Sequence, residues 1–476
     1  MDGRHRSRLT EKEIQHRNAG LHLTKLALAL AVSGFFTAAW YFYYACHISA
    51  PFFKTGNWAV CALYFCLYIL FAKLYGGFQV GISRISELVY SQGIALFFAG
   101  AVQFVVICLL TRRFANGLPL LGALAAGLVA AALWAKLANR LHNKLFPPKR
   151  TVVVYDNLEA YRTMEKLETI SWKFHITETV DMACGMGAVL AAVSEADAVF
   201  VCGLTSSNRN DVLKYCIENN IQAYIRPKIG DLILSSAKRV HYLNVPVLFC
   251  MRNQTSLWYA GMKRAIDIVA SACALIIASP FMFATAIAIK CYDHGPVLYK
   301  QRRLTKDGRT FNVYKFRSMR IDAERDGVAR LASENDDRIT PVGKFIRKVR
   351  IDELPQIFNI ISGDMSLVGP RPERPEIAQQ YETEMPEFSL RLQVKAGLTG
   401  YAQVYGKYNT SPYDKLQMDL IYIANQSIVQ DIKLMLATVK ILFVPESTEG
   451  INKDATTAMN HNPREEMENK QELVIN

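Results

Sequence analysis

Apolar positions crowd four long runs in the first third of the chain, at about 22–46, 57–75, 88–111 and 117–138. Each reaches the roughly 20 residues that a helix needs to cross a bilayer core, so the pattern predicts a membrane α-helical bundle of four spans over 22–145. The first run closes on Trp40, Tyr41, Tyr43 and Tyr44, the aromatic belt of a membrane interface. A cleaved signal peptide fits poorly, because the run is long and three more follow; helices buried in a soluble core are the other reading. Arg4, Arg6, Arg8, Lys12 and Arg17 predict a cytoplasmic segment over 1–21, and Arg140, Lys144, Lys149 and Arg150 predict a return to that side after four crossings. Arg112 and Arg113 conflict with this topology, which puts them outside.

From Thr151 the pattern changes to short apolar strands separated by amphipathic helices. TVVVY, KFHIT, ADAVFV and IQAYI alternate with helices expected at 157–169, 187–194 and 208–219, which predicts a parallel, doubly wound α/β module over 151–250. The turn after its first strand reads Tyr155-Asp156-Asn157-Leu158. A dinucleotide site needs glycine there so that the backbone approaches a pyrophosphate. The module is therefore Rossmann-like without the glycine-rich fingerprint, and a structural or regulatory role fits it better.

A fifth apolar run, 265–289, follows Lys263-Arg264 and contains Asp267 and Ser279-Pro280. Its length permits a crossing, but proline removes a helical donor and bends the axis. A crossing would also deliver the Lys- and Arg-rich remainder to the outside, against the positive-inside tendency. The expectation is a broken, re-entrant helix over 266–289, with a proline-kinked ordinary span as the alternative. Residues 446–476 are polar without apolar period and read as a disordered tail.

Composition adds a basic excess: 55 Lys and Arg against 42 Asp and Glu, a formal +13 over 476 residues. That favours anionic lipid, nucleotide phosphate or nucleic acid as a partner. Ten cysteines form no CxxC pair and nine histidines no HExxH cluster, which argues against a zinc site or disulfide framework. Between Gly295 and Met319, Lys300, Arg302, Arg303, Lys315 and Arg317 interleave with Tyr299, Phe311, Tyr314 and Phe316. In a membrane-attached chain one short patch speaks for a phosphate-bearing small molecule or lipid headgroup, with no nucleic acid as partner; a plain cationic strand face fits the spacing as well.

Asp352 and Glu353 stand side by side before Pro355 and the apolar IFNII, placing both acids at a helix N-terminus. Neighbours there point about a quarter-turn apart, so the two can serve separate jobs. One could attack phosphorus while the other holds a magnesium ion, and Arg347, Lys348 and Arg350 could bind diphosphate oxygens. An acidic helix cap beside a solvated basic face fits the spacing equally well. Gly369-Pro370-Arg371-Pro372 gives a stiff turn fixing one guanidinium, and Gly397-Leu398-Thr399-Gly400 a loop entering a strand; each is weak alone.

Taken together, Lys263-Arg264 with Asp267, Ser279-Pro280, YKFRSM at 314–319, DELPQ at 352–356, GDMSLVGPRP at 363–372 and GLTGYAQV at 397–404 resemble the bacterial sugar transferases. These are the monotopic polyprenyl-phosphate phosphoglycosyl transferases, and the upstream spans and α/β module resemble their large, multi-span branch. The resemblance covers 256–445. It implies an α/β catalytic domain with a re-entrant membrane helix, facing the cytoplasm of a bacterial inner membrane. It also implies a magnesium-dependent transfer of a sugar 1-phosphate from a UDP-sugar to undecaprenyl phosphate, with UMP leaving, at the start of exopolysaccharide, capsule or glycoconjugate assembly. Asp352 would be the nucleophile, Glu353 the magnesium partner, and Arg347 and Arg371, with Lys315 and Arg317, would bind phosphate or nucleotide. Two positions depart from the family pattern: Thr305 where glycine is common, and Ala396 where proline usually precedes the GLTG loop. A glycosyltransferase releasing UDP and a non-catalytic membrane scaffold are the rival readings. The sugar, and whether the chain forms a homo-oligomer, stay open.

Overall fold

The computed structural model describes residues 11–52, 55–156, 173–252, 255–321, 338–406 and 410–442. The helix expected at 157–169, the tail at 446–476 and the basic residues before position 11 lie outside these. The chain divides into two compact units, Met1–Arg226 and Pro227–Asn476.

The first unit opens with four long helices, α1 (Glu11–Ala39), α2 (Gly56–Leu74), α3 (Ile85–Thr111) and α4 (Leu118–Leu145). α1 packs on α2 and α4, and α3 on the same two. Inside, Phe36 stacks on Tyr64, and the buried Tyr68 hydroxyl donates to Gln92, whose amide donates to the Gly77 carbonyl. Outside, Leu23, Leu109, Leu121 and Leu137 are 59–72% exposed. Apolar side chains on the outer face reverse the pattern of a soluble bundle. These four helices and one in the second unit are long and apolar enough to cross a membrane.

Four strands follow: β1 (Lys149–Tyr155), β2 (Phe174–Asp181), β3 (Ala198–Cys202) and β4 (Gln222–Ile225). All pair in parallel, in the order β2-β1-β3-β4. Among them run α5 (Met186–Ser194) and α6 (Ser206–Glu218). Val152, Val154, Val199 and Val201 pack against Val189, Val193, Val212 and Cys216. Val152, Val154, Val199 and Val201 lie within near-continuous apolar runs, which is how strands buried on both faces read in sequence.

The second unit begins earlier than the expected boundary at 250. α7 (Ile229–Ser235) buries Ile229 and Leu232 against Leu416 and Leu420, and a hairpin of β5 (Lys238–Tyr242) and β6 (Val245–Phe249) follows. Next comes α8 (Leu257–Asp293), a single helix with Pro280 inside it. Pro280 cannot donate to the carbonyl of Ile276, four residues back, and the Ser279 hydroxyl donates to that carbonyl instead, at 2.9 Å. The pair thus lets a continuous helix pass through a position where the sequence alone suggests a break.

The motifs after α8 lie on short elements: β7 (Leu298–Leu304), β8 (Thr310–Phe316), α9 (Pro341–Lys348), α10 (Gln356–Ser362), β9 (Ser366–Val368), α11 (Pro375–Glu384), β10 (Gly397–Thr399), α12 (Tyr401–Tyr405), α13 (Pro412–Ala424) and α14 (Ile428–Leu442). β7 and β8 form an antiparallel hairpin, and β9 pairs with β10 in parallel.

Both ends of α8 are bonded into this unit. Near its start, Lys263 pairs with Asp431 at 2.8 Å, and Tyr259 and Tyr422 donate to the same carboxylate. The next residue, Arg264, donates through its guanidinium to the carbonyls of Ile360 and Ile361 at 2.6 and 2.7 Å. A cation at those last carbonyls of α10 also meets the negative end of the helix dipole. Asp267 accepts from the Leu367 amide at 3.0 Å. At the far end Asp293 takes both terminal nitrogens of Arg317.

Candidate active site

The acidic pair sits in a 3-10 turn, Ile351–Glu353, rather than in the first turn of the following helix. Arg350, at φ 55° and ψ 23°, takes the left-handed conformation that ends α9 and redirects the chain, and α10 starts only at Gln356. A 3-10 turn advances about 120° per residue, so the two carboxylates diverge more than α-helical neighbours would.

Glu353 is clamped. Lys315, from β8, reaches its Oε1 at 3.0 Å and Arg371 reaches the same oxygen at 2.7 Å, which leaves Oε2 for another partner. Burial pushes the Glu353 carboxyl upward, but the charges and hydrogen bonds of Arg371 and Lys315 more than reverse this and hold it well below the usual range. The Arg371 guanidinium is held the more firmly protonated by the Glu353 charge, whereas burial lowers the Lys315 ammonium.

Asp352 accepts no hydrogen bond among the described residues. Burial and the adjacent Glu353 charge raise its carboxyl to about 6, against the lowering pull of Lys315, Arg347 and Arg371. Two neighbouring acids are thereby driven apart: Glu353 is lowered and engaged, and Asp352 is raised and without a hydrogen bond among the described residues. Such a split separates the roles of paired carboxylates.

The scaffold behind this pair explains the flanking motifs. Asn359, on the buried face of α10, accepts from the Tyr314 amide at 3.0 Å and donates to the Asn312 carbonyl at 2.8 Å, fixing the helix after the acids to the strand carrying Lys315. The GPRP turn and GLTG loop interlock. The Gly369 amide donates to Thr399 and the Gly397 amide to Pro370. A β-carbon on Gly369 would lie 2.3 Å from the Lys395 carbonyl oxygen, and one on Gly397 2.1 Å from the Gly369 nitrogen. Backbone approach this close demands glycine. Each motif is weak in sequence, and together they form one rigid mount for Arg371.

Of the predicted site residues, Lys315, Arg371 and the acidic pair converge, and Arg347 acts on Asp352 through its charge. Arg317 does not join them: its guanidinium is taken up by Asp293 and by the carbonyls of Pro296 and Met319. Ser279 and Pro280 lie in α8, as described. Sequence reading missed Arg391 and Asp419, both nearly fully buried. Arg391 donates to Asp419 and to the Arg371 carbonyl at 2.9 Å, and burial pushes the Asp419 carboxyl up to about 6. The available signal was an aspartate among the buried Leu416, Leu420 and Ile423 of α13. Arg303, lowered to about 10 by burial, donates to the Pro372 carbonyl. The two departures from the family pattern touch: the Ala396 amide donates to the Thr305 hydroxyl, a bond that proline cannot make.

Comparison with known proteins matches the bacterial sugar transferase family over residues 258–445. The chain is similar to the exopolysaccharide production protein PSS of Rhizobium leguminosarum bv. phaseoli, 40% identical over 200 residues, which is 40% of this chain and 96% of that protein. A putative undecaprenyl-phosphate N-acetylgalactosaminyl 1-phosphate transferase of Bacillus subtilis (strain 168) is 47% identical over 134 residues, 28% of this chain and 74% of that one. The UDP-N-acetylgalactosamine-undecaprenyl-phosphate N-acetylgalactosaminephosphotransferase of Aeromonas hydrophila is 44% identical over 187 residues, 39% of this chain and 44% of its own length. The match to this last relative thus spans under half of it.

Proposed function

The chain belongs to the bacterial sugar transferase family, and from that premise we propose that it is a membrane phosphoglycosyl transferase, moving a sugar 1-phosphate from a UDP-sugar to undecaprenyl phosphate. The observation that carries the proposal is the division of labour between neighbouring acids: Glu353 bound by two cations, Asp352 free and raised to about 6.

In the first step the ionised Asp352 carboxylate attacks the sugar-bearing phosphorus of the UDP-sugar. A new phosphorus–oxygen bond forms as the bond to the bridging oxygen breaks, and UMP leaves with that oxygen and its electron pair. In the second step an oxygen of undecaprenyl phosphate attacks the same phosphorus. The bond to Asp352 breaks, and the product is a lipid-linked sugar diphosphate with the carboxylate restored. Arg371 and Arg347 present cations to the diphosphate, where delocalised guanidinium groups suit paired oxygens.

Magnesium fits this arrangement. The ion is commonly held by one or two carboxylates with substrate phosphates and water; the described residues contain no cluster of three metal-ligating side chains, and Glu353 keeps Oε2 available. When bound, the ion would supply charge neutralisation for the transferring phosphoryl group. Glu353 would hold it, while Lys315 and Arg371 keep Glu353 ionised.

α8 is read as re-entrant: its helical assignment runs unbroken through Pro280, but a proline there bends the axis, and on this reading the bend lets the helix enter and leave at the cytoplasmic face of a bacterial inner membrane. What supports this is that bonds near its start, to Asp431, α10 and β9, and at its end, to Arg317, go to one and the same unit. Cysteine labelling at Lys300→Cys in intact cells tests the topology: periplasmic reactivity would refute it. The reaction is tested by incubating the protein in lipid discs with undecaprenyl phosphate, magnesium and a panel of UDP-sugars. UMP release is expected, and UDP release would indicate simple glycosyl transfer.

A further inference from the structure

Resting on the sugar-phosphate transfer proposed above, we infer that Thr305 is a positioning residue: its buried hydroxyl pins the Lys315-bearing hairpin to the Arg371-bearing turn, setting the separation at which both cations reach one oxygen of Glu353. The two cations come from separate pieces of the fold. Lys315 lies on β8, paired through Tyr299 with β7, and Arg371 lies on the GPRP turn. Thr305 stands where β7 ends and is 7% exposed.

Its hydroxyl donates to the Asp364 carbonyl at 3.0 Å and accepts from the Ala396 amide at 3.2 Å. One hydroxyl can do both at once, and both partners are main-chain atoms of the two segments that build the Arg371 mount. From Ala396 the path to Arg371 is short. The Ala396 carbonyl accepts from the Ser366 amide, and the next residue, Gly397, donates to Pro370, whose carbonyl immediately precedes Arg371. On the other side of Arg371, the Arg303 guanidinium bonds to Pro372 and the Leu304 amide to Glu373. Arg371 is therefore bracketed by consecutive residues of β7's end. Thr305 supplies the upstream bracket through a side chain, where a single substitution can remove it.

Without the hydroxyl, the buried Ala396 amide loses its partner and the Asp364 carbonyl its link to β7, and the buried amide recovers a partner only if the backbone moves. Movement there is passed to Pro370 and Arg371, so substrate phosphate should be bound less well.

The test uses the full chain in lipid discs, comparing wild type, Thr305→Val, which keeps shape and removes both bonds, and Thr305→Ser, which keeps both. Thr305→Val should raise KM for the UDP-sugar about 5- to 10-fold with kcat within about twofold, and Thr305→Ser should return KM to within about twofold of wild type. Hydrogen exchange at 395–397 should speed up in the valine variant only. A purely structural role would lower the active fraction, and so kcat, with KM unchanged. That result, or an unchanged KM, overturns the inference. If wild type turns over no UDP-sugar, the proposed reaction fails on its own account, and exchange alone then decides: equal rates at 395–397 in wild type and Thr305→Val overturn the pin.

Discussion

The parallel sheet of the first unit and the acidic site of the second are built on opposite plans. The sheet has strands of four to eight residues, with valines from β1 and β3 closed over by helices. The site rests on pieces as short as three residues, β9, β10 and the 3-10 turn at 351–353, held by polar side chains bonded to backbone. An apolar layer tolerates exchange of one aliphatic for another, whereas a polar mount fails when one atom is lost. Substitutions in the two places should therefore differ in kind: the sheet should lose stability, and the site should lose rate.

The largest effect is expected at Asp352. Asp352→Asn should lower turnover by about 10⁴-fold or more, since an amide cannot replace the attacking carboxylate, with a melting temperature near wild type. Initial rates of UMP release check this, and near-normal release would remove Asp352 from its assigned role. Glu353→Gln should follow, slowing turnover by about 10²-fold and weakening its magnesium dependence. It should also move the acidic limb of the pH profile. On the proposed mechanism Asp352 attacks in its ionised form, and it is raised to about 6 partly by the Glu353 charge. Removing that charge lowers the Asp352 pKa, so the limb shifts to lower pH; a shift to higher pH would refute the coupling.

Gly397→Ala comes third. Its β-carbon would meet the Gly369 backbone, so the Arg371 mount must open, and kcat/KM should fall about 10- to 100-fold. Val154→Ala in the sheet should have the smallest effect on catalysis. It should cost about 1–3 kcal/mol of stability by leaving a cavity, seen as a lower denaturation midpoint, with kcat/KM per folded molecule within about twofold of wild type. A chain beginning at Ser256 extends the same contrast and should retain UMP release, at a lower stability because it lacks the Ile229 and Leu232 that α7 adds to the core of the second unit. The Rhizobium relative, matched by 200 residues over 96% of its length, carries little beyond this stretch.

The same contrast governs what could be read from the sequence. Apolar runs announced the long helices and the parallel strands, because period and length alone determine which residues hide. Asp352, Glu353, Lys315 and Arg371 were legible through motifs whose purpose only the fold explains: Gly369 and Gly397 are glycines because two backbones touch. Arg317 shows the limit. It lies two residues beyond Lys315, just past the end of β8, yet it serves Asp293 rather than the acidic pair, and composition cannot tell the two cations apart. Ser279-Pro280 reads as a break, but a hydroxyl reaching the orphan carbonyl carries the helix through. Arg391 and Asp419 escaped notice because their partners are about 20 to 28 residues away in sequence and meet only after folding.

The most direct test of the divided acidic pair is the mass of the protein itself. The chain in lipid discs is mixed with magnesium and its preferred UDP-sugar, without undecaprenyl phosphate, and the quenched protein is digested and sequenced by mass spectrometry. A sugar-phosphate adduct on Asp352, formed with one equivalent of UMP and discharged when undecaprenyl phosphate is added, is the expected result. An adduct on Glu353, or rapid lipid-dependent UMP release with no adduct at any time, would contradict it.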